Sequence, residues 1–130
     1  MEANTLAEIA VSALEDIKAR DVVVIDVSSL TSLFERMIIA SADSTRQTKA
    51  LANSVQVKVK DAGGMVLGIE GERSGEWILV DCGDVVVHVM QPAVRQYYNL
   101  EELWGNHLPT PGRRSPEYVK SNSGFASQPM

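Results

Sequence analysis

The chain has 130 residues, of which 45% are hydrophobic and 22% are charged, a balance typical of one soluble globular domain. The single cysteine, Cys82, excludes an internal disulfide and leaves too few soft ligands for a structural zinc site. No apolar run approaches the ~20 residues that span a bilayer, and the N-terminus lacks the pattern of a secretory signal. We therefore expect a protein of a reducing compartment, with a cytoplasmic location.

Charge is distributed unevenly along the chain. The formal net charge is −5, and residues 109–130 contribute +2, so residues 1–108 carry −7. An acidic body repels phosphate backbones, which disfavours direct nucleic-acid binding, whereas it attracts a basic protein partner. Plain solubility remains the alternative interpretation of this charge.

The composition changes near residue 109. Ten of the last 22 residues are proline, glycine or serine, which resist packing into a core. The sequence therefore predicts one domain over residues 1–108, followed by a flexible extension over 109–130.

The first elements are a helix and two strands. Thr5 and Glu8 have the spacing of a capping box, and apolar residues then recur every three or four positions, which predicts a helix over 5–19. The β-branched run Asp21–Val27 predicts a buried strand, and Glu35–Ser41 predicts a second one.

A second capping box, Ser44 with Gln47, predicts the start of the next helix, and the pair Gly63-Gly64 supplies its left-handed C-terminal cap. The segment Val55–Lys60 also alternates with period two, so a strand is the alternative there. The cap, the length and the glycine favour the helix.

Three strands are predicted close together, at Met65–Glu70, Glu76–Asp81 and Asp84–Met90. Their short connectors require antiparallel neighbours, and the long helix before them permits a crossover. Pro92 fits the first turn of a final helix that reaches about residue 104. The fold class is therefore α/β (α+β), a mixed five-stranded sheet flanked by helices in the order α-β-β-α-β-β-β-α.

Trp77 is the aromatic residue with the clearest functional signal. Strand alternation places it on one face with Leu79 and Asp81, and it places Ile78 and Val80 on the other. A tryptophan beside a carboxylate suggests a partly exposed surface, and tryptophan is a frequent interface anchor. Packing beneath the last helix is the alternative.

Catalytic patterns are weak. Asp26, Asp81 and Asp84 are the candidates for a metal-dependent nucleotidyltransferase, since carboxylates on neighbouring strands hold two metals in such enzymes. The spacing of Asp81 and Asp84 fixes no shared face, so aspartates bonded to their own turns are favoured. His88 and His107 have no partner that suggests a catalytic triad. We expect no enzyme activity, no metal and no cofactor.

Three blocks resemble the ribosomal silencing factor family (RsfS, also called Iojap or YbeB). Residues 74–89, SGEWILVDCGDVVVHV, are similar to its signature block, 97–104 to the block that follows it, and 39–47 to an earlier motif. The resemblance covers about residues 5–106 in the family's order and spacing.

The resemblance implies a non-enzymatic regulator with a fold related to nucleotidyltransferases but without their catalytic motif. Members of this family bind the large ribosomal subunit through its fourteenth ribosomal protein. They block joining of the small subunit and repress translation when nutrients are scarce. Homodimers are common in the family, and a dimer surface competes with ribosome binding.

We predict that Trp77 is the apolar anchor of this binding site. The residues expected to contact the ribosomal protein with it are Asp81, Glu76, Asp43, Arg46 and Tyr98. Tyr97 and His88 are assigned either to a dimer contact or to the core.

Overall fold

The computed structural model describes residues 1–104, so the predicted extension and His107 lie outside the described residues. The elements in chain order are α1 (Ala3–Asp16), β1 (Arg20–Asp26), β2 (Arg36–Ser41), α2 (Thr45–Asp61), β3 (Gly68–Glu70), β4 (Trp77–Asp81), β5 (Val85–Met90), α3 (Pro92–Tyr98) and α4 (Leu100–Trp104). No helix in this part of the chain is long and apolar enough to cross a membrane.

The five strands form one mixed sheet in the order β1-β2-β5-β4-β3. The central pair, β2 and β5, is parallel, with Arg36 opposite Val85 and Ser41 opposite Met90. The other three pairs are antiparallel. This confirms the predicted fold class and the antiparallel pairing across both short connectors.

The sheet separates two apolar cores. The back face packs against α1 and α2 through Ile38, Ile78, Val80 and the odd-numbered valines of β5. The front face carries Ile25, Met37, Ile39 and Met90, and it packs against Leu100 of α4. Because successive side chains alternate between the faces, each central strand contributes to both cores.

The boundaries of α2 follow the predicted signals. The Ser44 hydroxyl oxygen accepts a hydrogen bond from the Gln47 backbone N–H at 3.1 Å. The Gln47 side-chain oxygen accepts from the Asp43 backbone N–H at 3.2 Å, one residue before the position that a capping box uses. Gly63 has a left-handed φ of +91° after the last turn. The strand alternative for Val55–Lys60 is therefore wrong.

The predicted bounds of α1 require correction. The helix begins at Ala3, before the Thr5 capping box, and Glu2 precedes it without a side-chain cap. Ala3, Leu6 and Ala7 are all buried, so the apolar face extends further toward the N-terminus than the box indicated. The helix ends at Asp16 rather than at residue 19, because Lys18 has a left-handed φ of +62°.

The predicted final helix is divided in two. Asn99 has a left-handed φ of +48° and separates α3 from α4. The break turns Leu100 and Leu103 inward. Across it, Arg95 and Glu101 form an ion pair in which Nε and Oε1 are 2.8 Å apart. The third strand is also shorter than predicted, since only Gly68–Glu70 pairs with β4.

Replacing Ser44 by alanine should cost about 1 kcal/mol of unfolding free energy, because the Gln47 N–H loses its acceptor. Thr5→Ala is the matched control, since Thr5 lies within α1 rather than at its cap. Urea titrations of both variants measure the effect. Equal stability of Ser44→Ala and the unaltered chain would contradict the capping role.

Candidate docking surface

The front face of the sheet is only partly covered by α3 and α4. Along β4, Trp77, Leu79 and Asp81 are half-buried, whereas Ile78 and Val80 on the back face are fully buried. This confirms the predicted alternation of β4. The uncovered area forms a groove of about 540 Å³, the Trp77 groove, lined mainly by Phe34, Trp77, Leu79, Asp81, His88 and Trp104.

The indole of Trp77 is held in place by neighbours on β5 and α3. Its Nε1–H donates a hydrogen bond to Nδ1 of His88 at 2.9 Å. Its ring centroid lies 4.7 Å from that of Tyr98 and 5.8 Å from that of His88. Since the indole N–H is already bonded within the chain, Trp77 offers a contacting molecule an oriented apolar surface.

Two predicted carboxylates lie along β4, one near each end. Glu76 is exposed and immediately precedes Trp77. Asp81 ends the strand, and its Oδ1 accepts from the Gly83 backbone N–H at 2.9 Å. Trp77 therefore lies between two acidic residues along the chain, and alternation places Asp81 on the same face as the indole.

The two tyrosines have different environments. Tyr98 packs on Trp77 and is 43% exposed, whereas Tyr97 is 81% exposed. The core assignment for Tyr97 is therefore wrong. His88 is buried on the front face, opposite Leu79 of β4.

The remaining predicted residues, Asp43 and Arg46, flank the start of α2. Both are exposed, and Asp43 forms an ion pair with Arg20. Asp43 follows β2 at the end of the sheet where Ser41, Met90 and Trp77 pair across neighbouring strands. These two residues are outside the Trp77 groove.

The three carboxylates of the nucleotidyltransferase alternative do not converge. Asp26 is on β1 and Asp81 on β4, which places three strand spacings, about 14 Å, between their backbones. The Oδ1 of Asp26 accepts a hydrogen bond from the Ser28 backbone N–H at 2.9 Å, and it lies 3.3 Å from a guanidinium nitrogen of Arg36. No group of three metal-ligating side chains is present in residues 1–104. The described geometry therefore contradicts the alternative.

Burial controls the protonation of Cys82, in the core behind the sheet, and of His88, in the groove. Burial, with a smaller contribution from Asp81, raises the pKa of the Cys82 thiol to about 11. The thiol is therefore protonated at neutral pH. Burial lowers the pKa of His88 to about 4, so this imidazole is neutral at the same pH.

The low pKa of His88 makes stability depend on pH. The unfolded chain binds a proton near pH 6.5, whereas the folded chain binds it only near pH 4, so stability falls as the pH drops between these values. Between pH 7.5 and 5 the loss from this residue should be about 2 kcal/mol. Denaturant titrations of the unaltered chain and of His88→Asn measure it by difference. An equal pH dependence of both would contradict the assignment.

Sequence reasoning missed several residues of the Trp77 groove. Phe34 and Trp104 are in contact, with tilted rings whose centroids are 5.9 Å apart, although Phe34 lies in the loop before β2 and Trp104 ends the final helix. Leu33 is 81% exposed at the groove's edge, in a segment that the sequence indicated only as a connector. For Leu33 and Phe34 the only available signal was their apolar character in a short loop before a strand.

Comparisons with known proteins bear on the family and the fold of the chain. A sequence model described as "Ribosomal silencing factor during starvation" matches residues 1–128. The ribosomal silencing factor RsfS of Chromobacterium violaceum is 61% identical over 110 residues, covering 85% of this chain and 90% of that protein. The RsfS of Zymomonas mobilis is 37% identical over 100 residues, covering 77% and 75%.

A crystal structure of a Chromobacterium violaceum protein shares the fold with a TM-score of 0.80 and 61% identity. The match covers 85% of this chain and 92% of that one. The family match spans nearly the whole chain, and the fold agrees with that of the similar crystal structure. The chain therefore belongs to the ribosomal silencing factor family, RsfS.

Proposed function

We propose that this chain binds the large ribosomal subunit through its fourteenth ribosomal protein and prevents the small subunit from joining. Translation is thereby repressed under nutrient limitation. The proposal requires a stable protein contact and sufficient bulk, and it requires no chemical step.

The observation that carries the proposal is the half-buried, oriented indole of Trp77 in an apolar groove. Trp77 is hydrogen-bonded to His88 and packs against Tyr98 with the two rings tilted, so little side-chain freedom is lost when another protein covers it. Large aromatic side chains in such settings contribute disproportionately to binding free energy. The groove is thus suited to receive a partner's apolar side chain.

Charge supports a basic protein as the partner. Three acidic residues, Glu35, Asp81 and Asp84, have neighbouring backbones near the Asp81 end of the groove. The backbone N–H of the exposed Glu35 donates to the backbone oxygen of Asp84 at 2.8 Å, and Asp84 lies in the turn that follows Asp81. The net charge of −7 over residues 1–108 has the same sign. Complementary charge increases the rate of association and selects basic surfaces over acidic ones.

An interface of ordinary size is enough for this function. A stable complex buries about 1,600 Å² in total. The groove, with the exposed side chains of Tyr97 and Leu33 beside it, offers a continuous front surface for such a contact. The opposite face, covered by α1 and α2, then projects from the subunit as the obstructing bulk.

We also propose that a homodimer, where it forms, uses this same front face. Tyr97 and Tyr98 stack edge to face, 5.0 Å apart, beside Trp77 and are accessible to a second copy. Self-association then competes with ribosome binding. Adding large subunits to a concentrated sample should lower the dimer fraction in sedimentation equilibrium, and an unchanged dimer fraction would contradict the shared face.

Sedimentation through sucrose gradients tests the proposed function. The protein should travel with isolated large subunits, and it should lower the fraction of joined ribosomes when small subunits are added. Small subunits alone serve as the control and should not carry the protein. Joining that proceeds unchanged with saturated large subunits would refute the blocking role.

A further inference from the structure

The structure contains a buried hydrogen-bond donor in the docking groove that none of the contacts described above uses. His88 lies on the front face of β5, 8% exposed, among the side chains that line the Trp77 groove. Its Nδ1 accepts the indole N–H of Trp77 at 2.9 Å. A nitrogen that accepts this bond has no proton of its own, so the neutral ring carries its proton on Nε2.

The Nε2–H has no hydrogen-bond partner among residues 1–104. Nδ1 is bonded to Cγ, the ring carbon that is attached to Cβ, whereas Nε2 lies on the far side of the ring from the backbone. The two cross-strand neighbours of His88, Leu79 on β4 and Ile39 on β2, offer no acceptor on their side chains. A buried donor without an acceptor costs free energy. Binding of a molecule that supplies the acceptor is therefore favoured.

We infer that His88 Nε2–H donates a hydrogen bond to an oxygen of the protein that enters the Trp77 groove. The acceptor is a backbone carbonyl or an uncharged side-chain oxygen, brought in beside an apolar side chain that covers Trp77. This inference rests on the proposed function, because it concerns the same groove.

The arrangement makes His88 a residue with two separate roles. Nδ1 orients the indole, and Nε2 selects among the groups that reach the groove. A purely apolar group of the same size would leave the Nε2–H unsatisfied, which is how buried polar atoms discriminate between otherwise similar ligands. The low pKa of the ring supports this division, since the neutral ring keeps one donor and one acceptor at physiological pH.

Two substitutions separate these roles. In His88→Asn the amide group lies near the position of Nδ1, so it can still accept from Trp77, but it cannot reach the position of Nε2. In His88→Gln the amide lies near Nε2 and restores a donor there. We expect His88→Asn to bind large subunits about tenfold more weakly and His88→Gln to recover part of that loss.

The indole N–H resonance of Trp77 shows whether the internal bond survives in each variant. Wild-type affinity of a folded His88→Asn, with that resonance unshifted, would overturn the inference. Equal losses in both variants would also overturn it, because they would indicate a structural role alone.

A direct measurement uses the unaltered chain, labelled with nitrogen-15 and mixed with the purified fourteenth ribosomal protein. The Nε2-bound proton of His88 should shift downfield and exchange more slowly with water in the complex. An unchanged Nε2–H signal in a saturated complex would refute the hydrogen bond.

Trp77→Ala separates a failure of the inference about Nε2 from a failure of the proposed docking site. If Trp77→Ala weakens subunit binding while His88→Asn does not, the groove is the docking site and the inference about Nε2 fails. If neither variant weakens binding, the placement of the proposed docking site fails as well.

Discussion

Replacing Trp77 by alanine and Asp81 by lysine together should weaken co-sedimentation with large subunits roughly 100-fold or more. The first change removes the apolar surface held by His88 and Tyr98. The second reverses the charge at the far end of the same strand. Half-buried positions on one face of β4 tolerate substitution better than its buried positions, so we expect the variant to fold.

A matched control exists on the opposite side of the molecule. Val57→Ala with Asp61→Lys removes one apolar side chain and reverses one carboxylate on the exposed side of α2. Its net charge equals that of the test variant, and it should bind subunits as the unaltered chain does. Normal binding by a folded Trp77/Asp81 variant would show that the site is elsewhere. Equal losses in both variants would show that only net charge matters.

Gly71→Ala should destabilise the chain by about 3 kcal/mol. Gly71 has a φ of +88°, and a Cβ added to it would lie 2.0 Å from the backbone oxygen of Trp77. Because that oxygen belongs to the backbone, a rotamer change cannot relieve the overlap. The β3–β4 connection must move, and Trp77 at the start of β4 must move with it.

A comparison with Gly63→Ala separates the steric overlap at Gly71 from the cost of placing an alanine at a positive φ. Gly63 has nearly the same φ, +91°, but no neighbouring atom of residues 1–104 lies within 4 Å of the position that a Cβ would take there. The cost should be only the conformational one, about 1–2 kcal/mol. Denaturant midpoints for the two variants give the comparison, and Trp77 fluorescence should change in Gly71→Ala alone. Equal destabilisation of the two variants would contradict the close approach at Gly71.

The sequence predicted well what depends on neighbouring residues. The alternation of β4 requires only a period of two, and it correctly placed Trp77 with Asp81 and away from Ile78. The cap at Ser44 is likewise a contact between residues three positions apart. The start of α1 was predicted less well, because burial of Ala3 outweighed the local preference of Thr5 for a cap.

The sequence could not predict features that depend on strand register or on contacts between residues far apart in the chain. The bond from Trp77 to His88 exists because β4 and β5 pair with Leu79 opposite His88, an alignment that no local pattern specifies. The groove itself requires Asn99 to break the final helix and bring Trp104 against Phe34. Left-handed asparagines are common, but nothing in the sequence marked this one.

The parallel pairing at the centre of the sheet has a consequence for how the chain folds. β2 gains its second neighbour only when β5 arrives, since Arg36 to Ser41 pair with Val85 to Met90. Contacts between segments so far apart slow folding. During synthesis, β2 therefore lacks its β5 neighbour until residue 90 has left the exit tunnel. Until then, the unpaired edge of β2 can associate with other chains.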